Sequence, residues 1–159
     1  MNAPPATAPP AAGPPRGARV FISYAHADAA LHAAVVTHLA ALRNEGWIST
    51  WDDREILPGE DWAQAIDERL NAADVILLFV SAAFIDSDYC SGIELTRAMQ
   101  RLNDPADRPA VIPVILDDCD WRQQRFGGLQ ALPQPAKGVA HWKTQAQHHT
   151  AVAQGLRER

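Results

Sequence analysis

Cysteine is scarce: Cys90 and Cys119 are the only two in 159 residues. That is too few for a disulfide scaffold, and both are expected to be reduced. Long apolar runs are also missing. Prolines interrupt every early run that could serve as a signal peptide, and no later run is long enough to span a bilayer, so a cytoplasmic protein without a membrane partner is expected. Basic residues are in deficit, with 14 Lys and Arg against 19 Asp and Glu. Setting aside Arg16 leaves 13 against 19, a net charge of −6 that opposes binding to nucleic-acid phosphates. No GxGxxG run and no GxxxxGK run closed by Ser or Thr follows a candidate strand, which argues against hydride transfer and ATP hydrolysis. A GxSxG elbow is absent as well, so Ser23 lacks the setting of an activated nucleophile. No two histidines stand four residues apart and neither cysteine has a ligand neighbour, so no metal is expected.

What remains is one domain's worth of chain, enough to bury roughly 68–70% of its unfolded surface. Residues 1–18 hold six of the twelve prolines and six alanines, with Arg16 the only charged side chain. Such a composition cannot build a core and is read as a disordered tail ahead of a domain at 19–159.

From Arg19 onward, short β-rich runs alternate with helical patterns, which predicts an α/β fold: three layers around a mostly parallel sheet. Arg19 to Ser23 is the first strand. Asp28 is placed to cap one helix whose apolar residues Leu31, Val35, Leu39 and Leu42 share a face, and Gly46 closes it. Trp47 to Trp51 is the second strand, and a polar loop from Asp52 to Glu60 leads to Asp61, the predicted cap of a helix carrying Trp62, Ile66 and Leu70. Val75 to Val80 is apolar without alternation, the pattern of a strand covered on both faces. Ala110 to Leu116 is the next strand, with Pro113 suggesting an edge or a bulge. Trp121 to Gln134 lacks a period, a brief strand is expected near Gly138 to His141, and Gln145 to Leu156 is weakly helical.

The most informative position is Glu94, a carboxylate in the opening turns of the helix after the apolar strand Val75 to Val80. In open α/β sheets, ligands gather where strands end and helices begin. On a helical wheel Glu94 falls beside the core stripe of Leu95, Ala98, Met99 and Leu102. A capping box between Ser91 and Glu94 explains the same residue without any function. The loop Asp52, Asp53, Arg54, Glu55, Ile56, Leu57, Pro58 and Gly59 lies at a strand's carboxyl end, where its charges suit ribose hydroxyls; a solvated connection is the plainer alternative. Ser23, Tyr24 and His26 follow the first strand at the same edge. Tyr24 offers a ring face and a hydroxyl to a nucleoside, or simply caps the core.

Five strings occur together in order: VFISYAHAD at Val20 to Asp28, GWISTWDDREILPGEDW at Gly46 to Trp62, ADVILLFVS at Ala73 to Ser81, SDYCSGIEL at Ser87 to Leu95, and VIPVIL at Val111 to Leu116. Together they resemble a TIR domain of the bacterial type over about Arg19 to Trp142. The resemblance implies a flavodoxin-like sheet of about five parallel strands. In enzymatic members it implies cleavage of the nicotinamide–ribose bond of NAD+, a substrate rather than a cofactor. Glu94 matches the catalytic glutamate. Ser23, Tyr24 and His26 in the first loop, Asp52 after the second strand, and Trp62 match positions that line the nucleotide cleft. Tyr89 and Cys90 stand where many members carry a tryptophan four residues before the glutamate; here that place is Cys90. Residues Asp53, Arg54, Glu55, Ile56, Leu57, Pro58 and Gly59 match the BB loop of TIR self-association. The resemblance further implies antiphage defence, with filament formation driven by a separate sensing domain, in some members one for a cyclic nucleotide. The alternative within the family is a non-enzymatic adaptor or virulence module that binds other TIR domains. A phosphoacceptor receiver domain shares the topology but needs an acidic cluster where this chain reads SYAHAD.

Overall fold

The computed structural model describes residues 17–51, 58–59 and 61–158. Its sheet is built from β1 (Ala18–Ser23), β2 (Ile48–Trp51), β3 (Val75–Val80) and β4 (Ala110–Ile115), all parallel, in the order β2-β1-β3-β4. Between them run α1 (Ala29–His38), α2 (Ala40–Asn44), α3 (Trp62–Ala72), α4 (Ala82–Asp86), a π-helical segment at Asp88–Glu94, and α5 (Leu95–Leu102); α6 (Gln145–Arg157) follows β4. The fold is α/β and flavodoxin-like, as expected from the alternating pattern.

The two faces of the sheet follow from the period-2 alternation of strand side chains. Phe21, Ile76, Leu78 and Ile115 pack with Ile66, Leu70, Phe84, Leu95 and Ala98 of α3, α4 and α5. Val20, Ile22, Leu77, Phe79 and Val114 pack with Val35 of α1, Leu39 between α1 and α2, Leu42 of α2, and Val152 and Leu156 of α6. All six residues of β3 are buried, which agrees with its unbroken apolar run. Gly46 closes α2 at φ 84°, with Gly46 N–H bonded to Arg43 O and Trp47 N–H to Leu42 O, both at 3.0 Å. This is the paired C-terminal bonding that a left-handed glycine makes available. Asp61 accepts from Gln64 N–H at 3.0 Å and caps α3 as predicted.

Four expectations are corrected. The described sheet has four strands, not five; the place beyond β4 holds one bridge, Val114 to Leu132, and Ile115 O, where a ladder would continue, accepts from His148 Nε2 at 2.8 Å instead. Gly138 to His141 is not a strand: Val139–His141 is a 3₁₀ turn whose Val139 N–H donates to Leu116 O at 2.9 Å. The single helix expected after Asp28 breaks at Leu39, where Leu39 N–H turns to Val36 O and Arg43 Nη1 also donates to Val36 O at 2.7 Å. Asp28 holds the N-cap position of α1 but makes no side-chain cap; its carboxylate accepts from Ser81 Oγ instead.

Pro113 lies on the terminal ladder strand as its chemistry requires. Its carbonyl accepts from Leu132 N–H at 2.8 Å, on the side away from β3. In a parallel strand a residue's N and O point the same way, so the missing proline donor costs the β3–β4 ladder nothing. No described helix is long and apolar enough to cross a membrane.

Candidate functional site

The chain leaves β1 towards β2 on one side, while β3 pairs on the other, so the carboxyl ends of β1 and β3 flank the switch point of the sheet. Crevices at such points are the ligand sites of this architecture. Ser23 is the last residue of β1 and lies opposite Leu78 of β3.

Glu94 reaches this point through an unusual helix start. Ser87 is the N-cap, its hydroxyl accepting from Cys90 N–H at 3.2 Å, and Asp88–Glu94 winds as a π-helix before α5 begins. Ser91 therefore lies inside the segment rather than at its cap, and the local capping-box account of Glu94 does not hold. Each π turn carries one residue more than an α turn, which rotates the residues after it by about 100° relative to an α-helix. Glu94, at the end of the segment, is 6% exposed, and its Oε1 accepts from the Ser23 hydroxyl. A second bond joins the same two stretches: Cys90 Sγ donates to Tyr24 O at 3.2 Å.

Glu94 lines a cleft of about 190 Å³. Phe21, Trp51 and Ile66 form its apolar wall, and Tyr24, His26, Ser87 and Cys90 stand with Glu94 on the polar side. Phe21 and Trp51 stack at 5.9 Å, and the Arg69 guanidinium sits 5.6 Å from the Trp51 ring centre. Tyr24 lies nearly parallel to His32 of α1, 8° apart with centroids at 3.8 Å, so its ring is braced from behind.

The predicted site residues thus divide. Tyr24, His26, Cys90 and Glu94 share one cleft, while Ser23 contacts Glu94 and is itself 1% exposed. Trp62 is the first residue of α3 and Tyr89 belongs to the π segment. Asp52, Asp53, Arg54, Glu55, Ile56 and Leu57 lie outside the described residues, as do residues 1–16 of the predicted tail. Pro58 and Gly59 form an exposed turn, with Gly59 at φ 90°. Five wall residues were not legible as site residues: Phe21, Ile22, Ala25, Trp51 and Ile66 carry only the patterns of strands, a loop and a helix. Ser87 had a signal, a serine three residues before a helical N–H. Cys119 takes no part in the cleft wall, and burial together with Asp117, Asp118, Asp120 and Asp28 pushes its thiol up, away from the reactive thiolate.

The family profile for the TIR domain matches residues 20–149. The chain is also 45% identical, over 139 residues, to the uncharacterized protein y4lF of Sinorhizobium fredii (strain NBRC 101917 / NGR234). That match covers 87% of this chain and 42% of the relative's length. Strand order, the first-loop sequence and the profile match agree, and the chain belongs to the TIR domain family.

Proposed function

We propose that this TIR domain is an NAD+ glycohydrolase in which Glu94 acts at the nicotinamide–ribose bond, releasing nicotinamide and ADP-ribose or its cyclic form. The observation that carries the reading is that Glu94 is, among the described residues, the one buried carboxylate facing a cleft at the switch point of the sheet. One carboxylate suffices for this bond. Ordinary glycosidases need a second acid to protonate a poor leaving group, whereas nicotinamide departs from a cationic pyridinium as a neutral molecule. Charge then develops as an oxocarbenium ion on the ribose. A carboxylate about 4 Å away, at an effective dielectric near 20, stabilises that ion by about 4 kcal/mol, or about a thousandfold in rate.

The cleft's size supports engagement of part of the substrate. Pockets that enclose drug-sized ligands run from roughly 300 to 1,000 Å³. A cleft of about 190 Å³ suits the nicotinamide riboside half, with the rest of the dinucleotide over the rim. Tyr24 offers a ring face to the pyridinium, Phe21 and Trp51 supply the apolar wall behind it, and His26, Ser87 and Cys90 offer polar contacts. Asp52, Trp62 and Tyr89 complete the nucleotide side in this reading. Self-association through Asp53 to Gly59 raises the activity, with a separate sensing domain as the driver and antiphage defence in the cytoplasm as the setting. NAD+ is the substrate, and no metal is called for.

Protein clustered on a multivalent support and incubated with NAD+ tests this reading. Free nicotinamide that accumulates with the wild type and not with Glu94→Gln supports it. No nicotinamide from any clustered state refutes it in favour of a non-enzymatic adaptor.

A further inference from the structure

We infer that Ser23 is a positioning residue that acts through Glu94, rather than a substrate-binding residue as its place in the first loop suggests. This rests on the NAD+-cleaving reading of Glu94. Ser23 is 1% exposed and is not part of the cleft wall, although its neighbours Ile22 and Tyr24 are. Its hydroxyl is spent on Glu94 Oε1. The terminal torsion of a glutamate is broad and roughly two-fold, so an unrestrained carboxylate swings. A donor fixed at the end of a central strand removes that freedom.

The backbone on both sides is also held. Tyr24 O accepts from Cys90 Sγ at 3.2 Å, and Cys90 N–H is capped by Ser87, so the first loop and the π segment are locked in register four residues before the carboxylate. The π turn directs Glu94 towards the strand tip, and Ser23 sets the carboxylate's rotation there. Positioning of this kind governs how well charge faces the reacting carbon, and misplacement by about 1 Å costs on the order of a hundredfold. A hydroxyl donating to a carboxylate also favours its charged form.

Clustered wild type, Ser23→Ala and Ser23→Thr, each checked for folding by circular dichroism, are compared over a range of NAD+ concentration and pH. Ser23→Ala is expected to lower kcat on the order of 10- to 100-fold with KM within about twofold, and to move the acid limb of kcat/KM to higher pH. Ser23→Thr, which keeps the donor, is expected to retain kcat within about threefold and an unshifted limb. Should Ser23→Ala not fold, Ser23→Cys, a weaker donor, is expected to show the same limb shift. A raised KM with unchanged kcat in Ser23→Ala overturns the inference, because it means that Ser23 touches substrate. So does a fully active Ser23→Ala, or a folded Ser23→Thr as impaired as Ser23→Ala. A wild type that releases no nicotinamide overturns the glycohydrolase reading itself, and this inference with it.

Discussion

Acidification should unfasten α6 through His149, and the size of the effect can be worked from the hydrogen bonds. His148 Nε2 lies 2.8 Å from Ile115 O, a pure acceptor, so that nitrogen carries hydrogen and Nδ1 is left as an acceptor. His149 Nδ1, at 3.0 Å, must then donate to it. The other nitrogen of His149, Nε2, is consequently bare, buried and without a hydrogen-bond partner among the described residues. Across the α1 interface stands His38, its ring edge-on at 5.2 Å and its own Nδ1–H given to Ala34 O at 2.9 Å. A proton arriving at His149 Nε2 meets burial first, then the imidazoles of His148 and His38, and the site is held down to about 4 from 6.5. Burial lowers His148 too, against the opposing bond to Ile115 O. With the folded value depressed, the unfolded chain binds the proton first. Stability is therefore complete above pH 6.5 and declines until about pH 4. At 1.36 kcal/mol per unit, the loss attributable to His149 is about 3 kcal/mol. Urea melts of wild type and His149→Phe at half-unit steps from pH 7.5 to 4 measure it. The titration of ordinary carboxylates is common to both proteins, so the difference in slope isolates the histidine. Parallel stability curves for the two proteins would refute the reasoning.

Arg101 is buried at the end of α5, donating to Leu70 O and Ala73 O at 2.8 Å each while Asp107 neutralises it. Arg101→Met strands those two carbonyls and should cost roughly 2–4 kcal/mol in denaturant unfolding; a loss below about 1 kcal/mol contradicts that assignment. Gly138→Ala puts a methyl 2.6 Å from Asp117 Cα and 2.9 Å from Leu116 O, backbone atoms with no room to yield. It should destabilise by roughly 1–3 kcal/mol, and an unchanged urea midpoint would show that the turn after β4 adapts.

Much of the frame was legible because its signals are local. The unbroken apolar run of β3 announced a central strand, Gly46 announced a left-handed helix end, Asp61 a cap, and Pro113 a terminal strand. Local signals failed where a distant partner outbid them. Asp28 sits where a cap belongs, yet Ser81, 53 residues on, takes its carboxylate. The apolar stripe through Leu39 reads as one helix, although the chain turns there to pack Leu39 and Leu42 against the sheet. A strand was expected near Gly138 to His141, but the close approach of Gly138 to Asp117 and the bond of Val139 N–H to Leu116 O set a turn there. The same limit applies at the site. Glu94 was identifiable from position and resemblance, whereas its bond to Ser23 spans 71 residues and its π-helical start has no simple periodic signature.

The most direct test is the initial rate of nicotinamide release from NAD+ by clustered wild type against Glu94→Gln, an isosteric change that removes the charge and keeps the fold. A carboxylate contributing about 4 kcal/mol to the oxocarbenium ion predicts a fall of about a thousandfold. Rates within about tenfold of each other, from equally folded and equally clustered proteins, would contradict the role of Glu94.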